Sequence, residues 1–258
     1  MRWRRIRRLA ALLLALLTAL IGCGNAADTL EQLRAMGTLR VAIDPSFPPF
    51  AYIDEDGTIR GLDADLAHEL GRRLDLEIHF VVTGWDGLYD ALTAGQAEII
   101  ISALYPDPTR TRDFAFSRPY FNAGSVLVVP QGSPIEEIAD LTGRPIGVVL
   151  GTEGHMEALG WEEVLVPPPT IVQYESAEAA LDNLTAENVE AIVVDNLAAQ
   201  TAKNRGMNLD ILQPPLTDEP FVVVTRLEDE DLTEVIDDQL AAMIQDGTLE
   251  TLHNRWMQ

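Results

Sequence analysis

Leu62, Leu66, Leu70 and Leu74 recur every four residues, the stripe of an amphipathic helix. Before them, residues 39–43 form a short apolar run ending at Asp44, and Pro45, Pro48 and Pro49 forbid continuing it as strand or helix. Residues 54–57, Asp-Glu-Asp-Gly, are a turn. Residues 76–82 read as a strand, 85–92 as a short helix stopped by Gly95, and 97–104, with Ile99, Ile100 and Ile101, as a buried strand. A β-rich run at 125–129 starts a second round. It comprises a strand at 145–150, a helix opened by Gly151 and Thr152, a loop at 167–169, and a strand at 170–174. A helix at 176–184 with Ser176 as its N-cap follows, then a strand at 191–194 ending at Asp195. An extended run at 221–225 and a helix at 232–244 come last. The acidic residues 228–231 sit at that helix's start, where its dipole favours them.

Alternating helical and extended periods predict an α/β fold with largely parallel sheets. Two such units, joined by extended segments near 122–125 and 219–221, predict two lobes with a cleft between them. The expected division is 29–122 plus 221–258 for lobe 1 and 123–220 for lobe 2. In open α/β sheets, ligands bind beyond the carboxyl ends of strands. That rule singles out Asp44, the stretch from Ser102 to Arg110, Thr152 and Asp195, each bearing a group suited to a small polar ligand.

Residues 1–22 are a separate object. The first eight include five arginines and no acid, and residues 9–21 are almost wholly apolar. Thirteen residues are too few to span a bilayer as a helix, which needs roughly 20, whereas a basic start and a short apolar run are the pattern of a secretory signal. Leu20-Ile21-Gly22-Cys23 resembles a bacterial lipobox, implying a signal peptide at 1–22, lipidation of Cys23 and a tether at 23–28. Cys23 is the only cysteine, so no intramolecular disulfide is possible. The expected location is extracytoplasmic, anchored to the cell membrane by lipid.

Composition narrows the function. With 41 Asp and Glu against 18 Lys and Arg, the chain carries a formal charge of -23. Such a surface repels phosphate backbones and removes the main source of nucleic-acid affinity. His68, His79, His155 and His253 show no metal-ligand spacing, Lys203 is the only lysine, and no Ser-His-Asp or Cys-His arrangement is legible. No cofactor or metal is expected. Glu153 and His155, just past Thr152, are the residues to watch for acid–base chemistry.

The motifs resemble the family 3 solute-binding proteins, polar amino-acid receptors of ABC transporters. Similar segments run in order: Asp44-Pro45-Ser46-Phe47-Pro48-Pro49-Phe50; Gly61-Leu62-Asp63-Ala64-Asp65-Leu66; Ile101-Ser102-Ala103-Leu104; Pro108-Thr109-Arg110; and Phe116-Ser117-Arg118-Pro119-Tyr120. Leu141 to Arg144, Gly151-Thr152, Val194-Asp195 and the stretch from Asp246 to Trp256 complete the order. The resemblance implies a two-lobed, type II periplasmic-binding-protein-like fold, a free amino acid as ligand, a membrane permease as partner, and a monomer.

It also implies roles. Arg110 is the family's carboxylate clamp, a planar fork able to hold both oxygens. Thr152 and the helix start behind it favour the same anion, and Asp195 accepts the amino group from the other lobe. Phe47, Trp85 and Tyr105 line the pocket, with Asp44, Ser102 and Ala103 completing the ligand set. The competing roles are a surface ion pair with Asp107 or Asp113 for Arg110, and a helix cap for Asp195. Three departures stand out: Tyr105 replaces a small hydroxyl residue, Asp107 a threonine, and Glu153 a small hydroxyl residue. With no cation besides Arg110 in view, a neutral polar or basic ligand is favoured over glutamate. A ligand-sensing module for a receptor and a cyclohexadienyl-dehydratase-like enzyme are the alternatives on the same fold.

Overall fold

A computed structural model describes residues 29–257; the expected signal peptide, Cys23 and tether lie outside the described residues. After α1 (Thr29–Met36), the chain forms β1 (Thr38–Ile43) and three short strands, β2 (Ser46–Phe47), β3 (Ala51–Ile53) and β4 (Ile59–Arg60). Next come α2 (Leu62–Leu74), β5 (Glu77–Val82), a 3-10 turn at Trp85–Gly87, α3 (Leu88–Thr93), β6 (Ile99–Leu104) and β7 (Phe114–Asn122). The second round is β8 (Ser125–Pro130), β9 (Pro145–Val149), α4 (Glu153–Val164), β10 (Thr170–Tyr174), α5 (Ala177–Thr185), β11 (Ala191–Asp195), α6 (Asn196–Asn204) and β12 (Leu209–Ile211). β13 (Pro220–Arg226), α7 (Glu230–Gln245) and α8 (Thr248–Trp256) follow.

The strands assemble into two five-stranded sheets, β5-β1-β6-β13-β7 and β10-β9-β11-β8-β12, beside a small antiparallel sheet of β2, β3 and β4. The expectation of largely parallel sheets needs refining, because both sheets are mixed. β1 runs parallel to β5 and β6, but β13 is antiparallel to both β6 and β7. β9 likewise runs parallel to β10 and β11, and β8 opposes both β11 and β12. Each sheet thus has four strands in one direction and one reversed, and the reversed strand is the one by which the chain enters that sheet from the other.

Burial follows the two-residue period of a strand. In β6, Ile99, Ile101 and Ala103 join the leucines of α2 and the buried faces of α7 and α8. Ile100 and Leu104 turn to the opposite face, against Leu88 and Leu92 of α3. β11 does the same, with Ile192 and Val194 on one face and Ala191 and Val193 on the other. The predicted stripe on α2 is real: Leu62, Leu66 and Leu70 are fully buried. Each contributes roughly 1.5–3 kcal/mol through water exclusion. Among the described residues, no helix is long and apolar enough to cross a membrane.

The chain crosses between the sheets after β7 and again before β13, and the two crossings are stitched together. Ala123 N–H donates to the Glu219 carbonyl at 2.9 Å. The Asn122 side-chain oxygen accepts from Gly124 N–H at 2.9 Å and Glu219 N–H at 3.1 Å, while its amide donates to Asp218 at 2.9 Å. From the other side, the Asn196 amide donates to the Asn122 carbonyl at 2.7 Å. Asn122→Ala removes the acceptor of two backbone N–H groups at once. Its expected cost is about 1–3 kcal/mol, read as a lower urea midpoint with an unchanged slope.

Candidate functional site

The ends of β1 and β6, the short β2 and the start of α2 bring candidate residues together. β1 ends immediately before Asp44, whose N–H donates to Ser102 Oγ on β6 at 3.0 Å. Phe47 lies on β2 and stacks on Phe50 with ring centroids 5.4 Å apart. Ala103 adopts a positive φ of 46°, a left-handed conformation unusual for a residue with a side chain. Its N–H donates to the Tyr120 hydroxyl at 3.0 Å, and Tyr105 beyond it meets Phe221 edge-on at 5.0 Å.

These residues surround a cavity of about 300 Å³. It is lined by Asp44, Ser46, Phe47, Asp63, Trp85, Ser102, Ala103, Tyr105 and Phe221. Phe47, Trp85 and Tyr105 remain about half exposed, at 49%, 49% and 44%, so their faces are open to a guest. Six residues expected from the sequence therefore meet here. A second cavity, of about 420 Å³, shares the Trp85 and Tyr105 walls and includes Arg110, Asp107 and Tyr89.

Arg110 is turned toward Asp107 and Tyr89. Its Nε donates to Asp107 Oδ2 at 3.2 Å, and its guanidinium lies 4.2 Å from the centre of the Tyr89 ring. This is the surface ion pair named as its competing role, and Asp107 is also one of the three departures from the family pattern. Thr152 and Asp195 stand on the second sheet as helix caps. Thr152 Oγ1 accepts from His155 N–H at 3.2 Å at the start of α4, and Asp195 Oδ1 accepts from Ala198 N–H at 2.7 Å at the start of α6. Neither lines these two cavities. Both crown the carboxyl ends of strands, and both caps follow from short polar side chains matching unpaired N–H groups.

Three cavity residues escape a sequence reading: Ser46, Phe221 and Asp63. Asp63 is the most telling. Its carboxyl is completely buried, and Oδ1 accepts from the Tyr120 hydroxyl at 2.7 Å. Oδ2 has no hydrogen-bond partner. Burial lifts its pKa to about 7, against the opposing effects of the Tyr120 hydroxyl and then the Ala103 backbone N–H. The signal was present in the periodicity, since Asp63 stands one turn before Ala67 and two before Leu70 on a buried helix face. Negative charge continues around the rim. The Tyr105 phenol is pushed up by burial and then by Glu219 and Glu153. His155 is buried, with Nδ1 accepting from Gly151 N–H at 3.2 Å and Nε2 3.3 Å from the Gln173 amide.

A model of the bacterial extracellular solute-binding proteins, family 3, matches residues 39–258. The chain belongs to this family. Among its relatives is the L-cystine-binding protein TcyJ of Escherichia coli (strain K12), 28% identical over 88% of this chain and 85% of that protein. The histidine-binding periplasmic protein of Salmonella typhimurium is 31% identical, covering 84% of this chain and 86% of the relative. A mutant of ArgBP from T. maritima has a similar crystal structure, with a TM-score of 0.52 and 31% identity, over 88% of this chain and 98% of that one. The two mixed sheets of this family 3 protein are thus the two lobes of a solute-binding fold.

Proposed function

We propose that this protein captures a free amino acid outside the cytoplasmic membrane and hands it to an ABC permease, closing its lobes around the ligand. The family is extracellular and solute-binding, and its relatives include cystine- and histidine-binding proteins. The observation that carries the reading is the cavity pair between Asp44 and Arg110. Three half-exposed aromatic rings stand beside carboxylates at one end and a guanidinium at the other.

A zwitterion needs a cation and an anion held apart. Arg110 supplies the cation once it exchanges Asp107 for the ligand's carboxylate, a better partner because it can be held by both guanidinium nitrogens. Thr152 and the α4 start support that carboxylate, and Asp195 receives the ammonium. The ligand stabilises the closed form because it touches both lobes, the first being residues 29–122 with 221–258 and the second residues 123–220. The Asn122 clasp is the natural pivot. We extend the proposal to a lipid anchor at Cys23 after loss of residues 1–22, to a monomer in solution, and to binding without turnover.

A thermal-shift screen of the protein against the common amino acids tests the reading. A ligand at about 100 times its dissociation constant adds roughly 2.7 kcal/mol of stability. Arg110→Ala is expected to remove that shift while leaving the stability of the unliganded protein within about 1 kcal/mol of wild type, since the Asp107 pair is half exposed. An undiminished shift in the variant would refute the clamp.

A further inference from the structure

His155 is a buried histidine that the capture mechanism leaves without a task. Its ring lies beneath the turn where β9 gives way to α4. Nδ1 accepts from Gly151 N–H at 3.2 Å, and Nε2 sits 3.3 Å from the Gln173 side-chain amide on β10. An accepting ring nitrogen carries no proton, so the neutral ring holds its proton on Nε2. The Gln173 amide receives that proton on its oxygen, which a half-turn of the amide brings to the same place. Both nitrogens are thus engaged inside the lobe. That is not the layout of an acid–base catalyst, which needs a nitrogen within reach of its substrate.

The turn itself is open on its outer side. Gly151 adopts a φ of 82°, and a β-carbon there would meet nothing within 4 Å. Thr152 Oγ1 donates to the Val149 carbonyl at 2.9 Å and accepts from His155 N–H at 3.2 Å. His155 therefore grips the turn twice, by its backbone at Thr152 and by its ring at Gly151. It has no room to slide, because the neighbouring Gly154 is pressed onto the sheet. A β-carbon at Gly154 would lie 2.4 Å from Val193 Cγ1 and 2.9 Å from Ser125 Oγ. With the N–H groups of Gly151 and His155 occupied, those of Glu153 and Gly154 remain, pointing out of the helix end.

We infer that His155 is a positioning residue for ligand capture: its neutral ring, through Nδ1, fixes the Gly151–Thr152 turn so that the first N–H groups of α4 meet the ligand's carboxylate. The inference rests on the amino-acid-receptor reading above and adds to the second lobe a residue that acts without touching the ligand. Lysine or arginine could not replace it, since neither has an acceptor to offer an N–H. An apolar side chain of similar size would leave Gly151 N–H without its partner. Asparagine could stand in, because its oxygen branches from the chain at the same point as Nδ1.

Titration calorimetry of wild type, His155→Asn and His155→Leu against the common L-amino acids and L-cystine tests the role. For each amino acid that wild type binds, the leucine variant is expected to bind about tenfold more weakly or worse. The asparagine variant is expected to stay within about threefold of wild type. A histidine that merely fills space gives no such rescue. Folded variants that bind alike, or in the reverse order, would overturn the inference and leave the receptor intact. A proton–nitrogen correlation spectrum of wild type needs no variant: His155 is expected as the Nε2–H tautomer with Nδ1 bare. A proton on Nδ1 would overturn the inference even should the leucine variant fail to fold. No uptake of any amino acid by wild type would remove the receptor reading and the inference with it.

Discussion

Gly61→Ala is expected to lower stability by about 3 kcal/mol or more, seen as a reduced urea midpoint with an unchanged slope. Gly61 precedes α2 with φ 129° and ψ 175°, a region open essentially to glycine alone. A β-carbon there would lie 2.0 Å from the Phe50 carbonyl oxygen and 2.5 Å from its carbon. These are backbone atoms and cannot rotate aside. That same carbonyl accepts from Asp63 N–H at 2.9 Å, and the Pro49 carbonyl accepts from Leu62 N–H at 3.1 Å. The close approach that forbids a side chain at 61 is what docks the helix start under the cavity. The substitution is therefore expected to displace Asp63 as well, weakening ligand binding in whatever fraction still folds. A variant as stable as wild type would show that the approach is not needed.

Asp63→Asn is expected to stabilise the unliganded protein at pH 8 by a few kcal/mol, and to lose that advantage as the pH falls toward 4. An unfolded aspartate titrates near 3.9, while burial raises this one to about 7 in the fold. The folded state therefore holds the extra proton between those values. Its stability falls as pH rises from about 4 to about 7 and then levels off. Roughly three pH units at about 1.4 kcal/mol each set the upper size of the effect. The titratable groups around the carboxyl are Tyr120, which donates to it, and Asp44 and Tyr105 in the same cavity.

The difference between variant and wild type isolates Asp63 from other acids. Glu69 is held down to about 2, chiefly by its hydrogen bond to Arg72, and Asp246 to about 2, chiefly by its hydrogen bond to Thr248. Both lose their stabilising contribution in acid, the opposite trend, and both cancel between the two proteins. Urea midpoints at pH 5 and pH 8 provide the measurement. A difference independent of pH would mean that Asp63 does not carry the shifted titration.

Much of this architecture was legible because its elements obey one period at a time. The all-buried β6, the α2 leucines and the Ser176 cap, whose Oγ accepts from Ala179 N–H at 3.2 Å, announce themselves locally. β7 does not. Arg118 and Pro119 interrupt its pattern, and it survives as a strand because it is an edge, paired only with β13 and bulged where Pro119 faces Val222. The reversed direction of β8 and β13 is equally invisible, since strand direction is a property of the sheet and not of the run. At the cavity, Asp44, Ser102 and Ala103 could be singled out because they lie at or just past strand ends. Asp63 was missed because its free oxygen becomes notable only once Tyr120 is seen to occupy the other.

The placement of β13 also sets an order of assembly. It lies between β6 and β7, so residues from the far end of the chain complete the centre of the first sheet. The second sheet, by contrast, is one continuous stretch from β8 to β12. As the chain emerges, the second lobe has all of its strands before the first has its last, and β7 has no neighbour until residues 220–226 arrive. Such long-range closure slows folding. The two halves of the binding cleft thus become available in the reverse of the order in which they are begun.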